Sequence, residues 1–357
     1  MSRLEAGLVG LPNSGKSSVF MALTGDPAVV APHMFSTVES QTGEAPVRDP
    51  RLPELARISA SARIVPATLQ VVDIAGLVRG ASHGEGLGNQ FLGAIRTTDA
   101  VLHVLRCFHD DAVAHPGGRV DPVDDLETVE LELVLADQAT VERRAERVAK
   151  TAKSGDRDAV AEHALLERLT AWLDAGRPAR GFAEPLPEAL DLLTAKPEIL
   201  VANVDESGNP DDVARLAGTA AERGQTLIPI NAKLEAEVAE LAAEERDAFL
   251  AELGVDQPAL DRISLAAYAA LDLIPFFTTG PKETRAWTIR HGENAQRAAG
   301  RIHSDLERGF IRAEVIPCDR LLEAGSEAEA KRRGWLRVEG RDYVVADGDV
   351  LNVRFNI

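Results

Sequence analysis

A chain of 357 residues with 45% hydrophobic content can bury a large core, and its length predicts two or three domains rather than one. No stretch approaches about 18 uninterrupted apolar residues, which excludes a membrane-spanning helix. Two cysteines, Cys107 and Cys318, are too few for a disulfide framework and predict a reduced, cytoplasmic protein; the net charge of −18 argues against binding nucleic acid with the whole surface. From Phe276 onward acidic and basic residues nearly balance, so that part and local basic patches are the candidates for contact with RNA.

In chain order, an apolar run at Ala6 to Val9 predicts a strand close to the N-terminus, leaving no room for a signal peptide. It leads into Gly10-Leu-Pro-Asn-Ser-Gly-Lys-Ser17, a complete phosphate-binding pattern, and then into a helix over Ser18 to Leu23. Gly10 and Gly15 let the backbone curl so that the amides of Asn13, Ser14, Gly15 and Ser18 can face phosphate at a helix N-terminus. Lys16 supplies a point charge for the β- and γ-phosphates, and Ser17 a hydroxyl ligand for Mg²⁺. Asn13 is a candidate ligand for a monovalent cation such as K⁺, and equally a candidate to close the loop with a side-chain-to-backbone bond.

A second strand, Leu69 to Val72, ends in Asp73-Ile-Ala-Gly76. Asp73 is expected to hold the metal through its water shell, and the Gly76 amide to sense the γ-phosphate. Leu77 stands where many GTPases carry the glutamine that orients water, so another group must act or turnover is slow; His83 and His115 are the histidines in nearby loops.

A third strand covers Ala100 to Leu105. From Asp124 to about Lys153, apolar residues at Leu126, Val129, Leu133, Val141, Ala145 and Val148 predict an amphipathic helix. Ser154-Gly155-Asp156 breaks it, and Val160, Leu165, Leu169 and Leu173 mark a returning helix, so the two form a coiled-coil hairpin. After a Gly/Pro/Arg-rich loop at Gly176 to Pro187, strands resume at Ile199 to Ala202 and Leu227 to Ile230. The expectation is an α/β P-loop NTPase fold with a mostly parallel sheet at 1–122 and 191–275, interrupted by a helical insertion at 123–190. Runs at Ala286 to Ile289, Ile311 to Ile316, Tyr343 to Ala346 and Val350 to Phe355 predict a small α+β module of strands around one helix at 276–357.

Where guanine-specific relatives carry N-K-x-D, this chain reads Asn203-Val-Asp-Glu206. Losing a well-placed carboxylate removes two bonds to guanine and none to adenine, while Asn203 can pair with the N6/N7 edge of adenine. ATP is therefore expected over GTP, with Glu206 reaching guanine as the alternative. Asn231 and Ala232, after the next strand, are expected beside the base.

Gly10-Leu-Pro-Asn, Asp73-Ile-Ala-Gly-Leu-Val, Gly80-Ala-Ser-His-Gly-Glu-Gly-Leu-Gly-Asn89, Val104-Leu-Arg-Cys-Phe108 and Asn203-Val-Asp-Glu206 together resemble the YchF subfamily of Obg-like P-loop proteins, the ribosome-binding Obg-like ATPases. Thr284-Arg-Ala-Trp-Thr-Ile289, Gly309-Phe-Ile-Arg-Ala313 and Asp347-Gly-Asp-Val350 resemble that family's β-grasp TGS domain. The resemblance spans the chain. It implies a G domain, a coiled-coil arm and a TGS domain, ATP preference, a hydrophobic residue at the glutamine position (Leu77) and association with ribosomes; the expected partner is the large subunit and its rRNA, and the expected state a monomer. It places the family's catalytic histidine on His115 and its switch-I Mg²⁺ ligand on Thr37. The chain departs from the family pattern at Met34-Phe-Ser-Thr-Val-Glu-Ser40 and at Asn231, where Ser is usual. Three readings follow: a slow ribosome-associated ATPase switch, an ordinary GTPase, and an ATP-dependent scaffold with incidental hydrolysis.

Overall fold

The computed structural model describes residues 4–25, 41–74, 87–206, 208–239, 241, 245 and 258–356. The chain folds as two compact units, Leu4–Glu44 with Gln70–Ile263, and Ala45–Leu69 with Ser264–Ile357.

The first unit is built on a sheet of order β2-β4-β1-β5-β6-β7, from β1 (Glu5–Val9), β2 (Gln41–Val47), β4 (Ala67–Asp73), β5 (Ala100–Arg106), β6 (Glu198–Asn203) and β7 (Thr226–Ile230). The pairs β1–β4, β1–β5, β5–β6 and β6–β7 are parallel. Strands covered on both faces read as continuous apolar runs, and all seven residues of β5 are buried. Helices α1 (Lys16–Thr24), α3 (Leu87–Thr97), α6 (Pro210–Glu222) and α7 (Ala232–Ala239) alternate with the strands. Val9, Val72, Phe91 and Ile95 form one core cluster with Val129 and Leu133 from the base of the helical insertion.

That insertion is a hairpin of α4 (Pro122–Ala152) and α5 (Arg157–Asp174). Asp121 caps α4 ahead of Pro122 at its first position, and the Asp156 carboxylate accepts from the Ala159 amide at 2.9 Å to start α5. Gly155 turns the chain between them at φ 85°. Val141, Val148, Leu166, Leu169 and Leu173 form the seam. Val160, expected in that seam, is 49% exposed, because the buried stripe of α5 begins one residue earlier, at Ala159. Leu165 and Ala145 are only half-buried, and Leu166 takes the central place. The middle of α4 is pinned by Asp137, fully buried, whose carboxylate accepts from the Leu193 and Thr194 amides at 2.7 and 2.8 Å.

The second unit contains a mixed sheet, β11-β10-β12-β8-β9-β3, from β3 (Ile64–Val65), β8 (Leu273–Thr278), β9 (Thr284–Arg290), β10 (Phe310–Pro317), β11 (Arg337–Glu339) and β12 (Asp349–Phe355). Phe276, Ile289, Ala298, Phe310, Val315 and Leu351 make its core under α9 (Ala295–Ile302). α8 (Ala259–Ala270) precedes β8, and α10 (Ser304–Arg308), α11 (Cys318–Ala324) and α12 (Glu327–Arg332) accompany α9 where a single helix was expected. Tyr343 to Ala346, expected as a strand, makes only an isolated bridge between Val344 and Asn294. The Tyr343 hydroxyl instead donates to Asp349 at 2.7 Å and receives a bond from Arg337.

Residues 45–69, expected inside the nucleotide-binding part, group with this second unit. The reason is polar and local to it. In α2 (Arg51–Ile58), Arg51 donates to Asp347 at 2.8 Å and lies over the Phe277 ring at 5.2 Å. Ser61 Oγ donates to the Gly280 carbonyl at 2.7 Å, and β3 pairs with β9.

Candidate functional site

The carboxyl ends of the parallel strands bring the motifs together. Leu8 on β1 lies opposite Asp73 on β4, Arg106 on β5 opposite Asn203 on β6, and Asn203 opposite Ile230 on β7. Open parallel sheets present ligand sites at this edge.

The phosphate loop leaves β1 through Gly10 (φ 154°), turns at Asn13 (φ 65°) and enters α1 from Gly15 (φ 92°). These left-handed steps curl the loop at a helix N-terminus, the arrangement that takes anions, with the Ser14 amide turned to the Leu11 carbonyl at 3.3 Å. Gly15 has a second constraint, since a Cβ there would sit 2.1 Å from Asn203 Nδ2. Lys16 is 7% exposed, and its ammonium donates to the Gly10 and Leu11 carbonyls at 3.1 and 2.9 Å. Burial lowers its pKa to about 8, against the pull of Asp73. Ser17 Oγ donates to Asp73 Oδ2 at 2.9 Å. Burial raises the Asp73 pKa, opposed by the Ser17 bond and the Lys16 charge. A hydroxyl and a carboxylate oxygen brought together beside the loop are the hard donors that Mg²⁺ takes, so the site fits that ion.

Asn203, Asn231, Ala232 and His115 already have partners within the protein. Asn203 is 6% exposed; its amide nitrogen donates to the Ser14 carbonyl at 3.1 Å, and its carbonyl accepts from the Ala232 amide at 3.3 Å. It braces the phosphate loop against the β7–α7 connection. After these two bonds the side chain still has one N–H and one carbonyl lone pair, the donor and acceptor that the N6/N7 edge of adenine takes. Asn231 caps α7, its Oδ1 accepting from the Leu234 amide at 3.0 Å, and the Ala232 amide is taken by Asn203. Glu206 and Ser18 are exposed.

His115 is the fourth. Its side chain is 7% exposed, Nδ1 accepts from the Gly117 amide at 3.0 Å, and Nε2 stands 3.0 Å from Asp125 Oδ2 in the first turn of α4. An amide must donate to Nδ1, so Nε2 carries the proton and donates to the carboxylate. Both ring nitrogens are engaged, and positioning water requires breaking the bond to Asp125. Asn13 Nδ2 donates to the Ala114 carbonyl at 2.9 Å, a side-chain-to-backbone bond to the loop after β5 and not one within the phosphate loop. Thr37, Gly76, Leu77 and His83 lie outside the described residues.

Sequence reasoning missed Arg106, which is 2% exposed and donates to three carbonyls of the following loop, and Asp125, the partner of His115. The signals were an arginine ending a buried strand that is apolar apart from His103, and its place in the Val104-Leu-Arg-Cys-Phe108 motif, to which no role was attached.

A family model described as a 50S ribosome-binding GTPase matches residues 5–151, and a model for the C-terminal domain of YchF GTPases, described as a protein of unknown function, matches 273–356. The chain is 47% identical to the ribosome-binding ATPase YchF of Bacillus subtilis, over 99% of this chain and 100% of that one. It is 38% identical to Obg-like ATPase 1 of Rattus norvegicus, over 99% and 92%. The solved structure of the Schizosaccharomyces pombe YchF GTPase superposes with a TM-score of 0.85 at 32% identity, covering 99% of this chain and 98% of that one.

Proposed function

We infer that this chain, which belongs to the YchF family, is a cytoplasmic, monomeric, ribosome-associated ATPase whose nucleotide state switches its binding. The observation that carries the reading is the complete phosphate loop, with Lys16 buried beneath it and Ser17 bonded to Asp73 at 2.9 Å. The loop amides and the Lys16 ammonium would bind and neutralise phosphate oxygens. Ser17 and Asp73, with Thr37, would hold Mg²⁺, which supplies charge neutralisation on the β- and γ-phosphates. Asn13, whose amide nitrogen is tied to Ala114, has its carbonyl end for K⁺. His115 would position water once released from Asp125, and Gly76 would report the γ-phosphate.

Support for the ribosome, its large subunit and rRNA as partner comes from the relatives' names and from the description of the N-terminal family model. For the base, the names divide between ATPase and GTPase. An exposed Glu206 in place of the guanine-reading aspartate favours ATP. GTP is the second reading, and a scaffold with incidental hydrolysis the third.

Equilibrium titration with ATP and GTP decides the base: tighter ATP binding is expected, and a GTP preference of about tenfold, roughly 1.4 kcal/mol, overturns it. Co-sedimentation with ribosomes in ATP, in ADP and without nucleotide decides the switch. Binding that ignores the nucleotide overturns that part, and single-turnover hydrolysis unaffected by ribosomes supports the scaffold.

A further inference from the structure

Arg106 ends β5 as a 2% exposed cation, and its hydrogen bonds among the described residues go to carbonyls, not to carboxylates. Nε donates to Phe108 O at 3.2 Å, Nη1 to Val113 O at 2.9 Å and Nη2 to Asp110 O at 3.1 Å. The guanidinium also lies over the Phe108 ring, 4.5 Å from its centroid. A buried charge is ordinarily matched by an opposite one, so three neutral acceptors converging on a single cation mark a placement that depends on geometry.

The chain it gathers is otherwise shaped by polar ties nearer its far end, such as His115 to Asp125, and by little apolar packing. Residues 108–119 contain neither helix nor strand, and His109 to Ala112, Ala114 and Pro116 to Arg119 are exposed. Apolar burial therefore cannot set their path. What this segment delivers is the Ala114 carbonyl, one residue beyond the Arg106-bound Val113, and that carbonyl holds Asn13 Nδ2 at 2.9 Å. Asn13 is the turn of the phosphate loop and sits at φ 65°, a left-handed conformation that asparagine takes more readily than other side-chain-bearing residues, so the tie to Ala114 acts on the turn itself.

We propose that Arg106 is a positioning residue for nucleotide turnover: by drawing in the Phe108, Asp110 and Val113 carbonyls it sets the Ala114 carbonyl, which holds Asn13 and with it the shape of the phosphate loop. The proposal rests on reading the site as one that hydrolyses a nucleoside triphosphate. A planar fork of N–H groups is required, because the point charge of lysine cannot reach three diverging acceptors. Burial pulls the guanidinium pKa down, while Asp110, Asp125 and Asp205 act to raise it, and an arginine stays charged under such a shift.

The test uses the full chain with Arg106→Met, Arg106→Lys and Arg106→Ala. Turnover is expected to fall about tenfold to a hundredfold in all three, with ADP affinity nearly unchanged, as for misplaced reacting groups. Millimolar guanidinium should restore part of the turnover in Arg106→Ala and none in Arg106→Met, whose side chain fills the space. Amide exchange across residues 10–17 should rise in Arg106→Met while residues 100–105 keep their protection. Wild-type turnover and exchange in Arg106→Met overturn the proposal, and so does a joint loss of turnover and ADP affinity that guanidinium does not relieve. If the wild type hydrolyses no nucleotide, the reading of the site fails, and exchange at residues 10–17 still decides the role of Arg106.

Discussion

The phosphate loop at residues 10–17 and the loop that follows β5 are both irregular, and both leave neighbouring strands of one sheet at the same edge. They are held in different ways. The first takes its shape mainly from its own backbone, with Asn203 and the Ala114 carbonyl as outside braces: Gly10, Asn13 and Gly15 take left-handed dihedrals, Ser14 N bonds Leu11 O at 3.3 Å, and Lys16 folds back on Gly10 and Leu11. The second is held by distant side chains. Asn13 reaches Ala114 across 101 positions, and His115 reaches Asp125 in the helical arm. A loop whose determinants are local carries a motif, while one held from outside carries none.

The contrast predicts different penalties. In the phosphate loop, Lys16→Ala should cut turnover at least about a hundredfold, as expected for a group that meets transition-state charge. It should leave thermal stability unchanged or slightly raised, because burial already disfavours the charged side chain. A variant that keeps wild-type ATP affinity and turnover removes the central reading of the site.

Gly15→Ala should be worse for the fold. Its Cβ meets Asn203 Nδ2 at 2.1 Å at φ 92°, which would dislodge the brace between the Ser14 carbonyl and the Ala232 amide. A stability loss of about 1–3 kcal/mol is expected, together with weaker nucleotide binding. An unchanged melting temperature would show that the brace is dispensable.

In the second loop, His115→Ala should affect function and fold together. It leaves the buried Asp125 carboxylate without its ring partner, at a cost of about 1–3 kcal/mol, and lowers turnover with little change in ATP affinity. Turnover equal to wild type, measured in K⁺ with ribosomes present, excludes this histidine from the chemistry and leaves it a purely structural tie.

The smallest effect is a pH dependence. Lys16 titrates near 8 in the free protein, and bound phosphate raises that value, so binding above pH 8 must take up a proton. Affinity for ADP should be flat below pH 7 and fall about fivefold between pH 8 and 9. Fold stability has the opposite sign: between about 8 and 10.5 the unfolded chain holds more protons on this lysine, so its contribution grows with pH. Calorimetric titration across this range that shows constant affinity would place Lys16 at the ordinary lysine value and out of the buried position.

The amino-acid sequence by itself determined the strand–loop–helix of the phosphate site, the carboxylate at the end of β4, the alternating strands and the helical hairpin, because each is written in short-range periodicity or in backbone-permissive glycines. Side-chain assignments based on chemistry alone were less secure. Asn203, Asn231 and His115 have the right groups for a ligand, yet each uses them on neighbouring backbone or a carboxylate. Only the tertiary structure decided that residues 45–69 group with the C-terminal unit, that Asn203 braces the phosphate loop, and that Arg106 shapes the loop carrying Ala114 and His115. The physical reason is that burying a polar group requires a partner, and the partner is chosen by proximity in the fold, across as many as 296 positions between Arg51 and Asp347, where no local pattern records it.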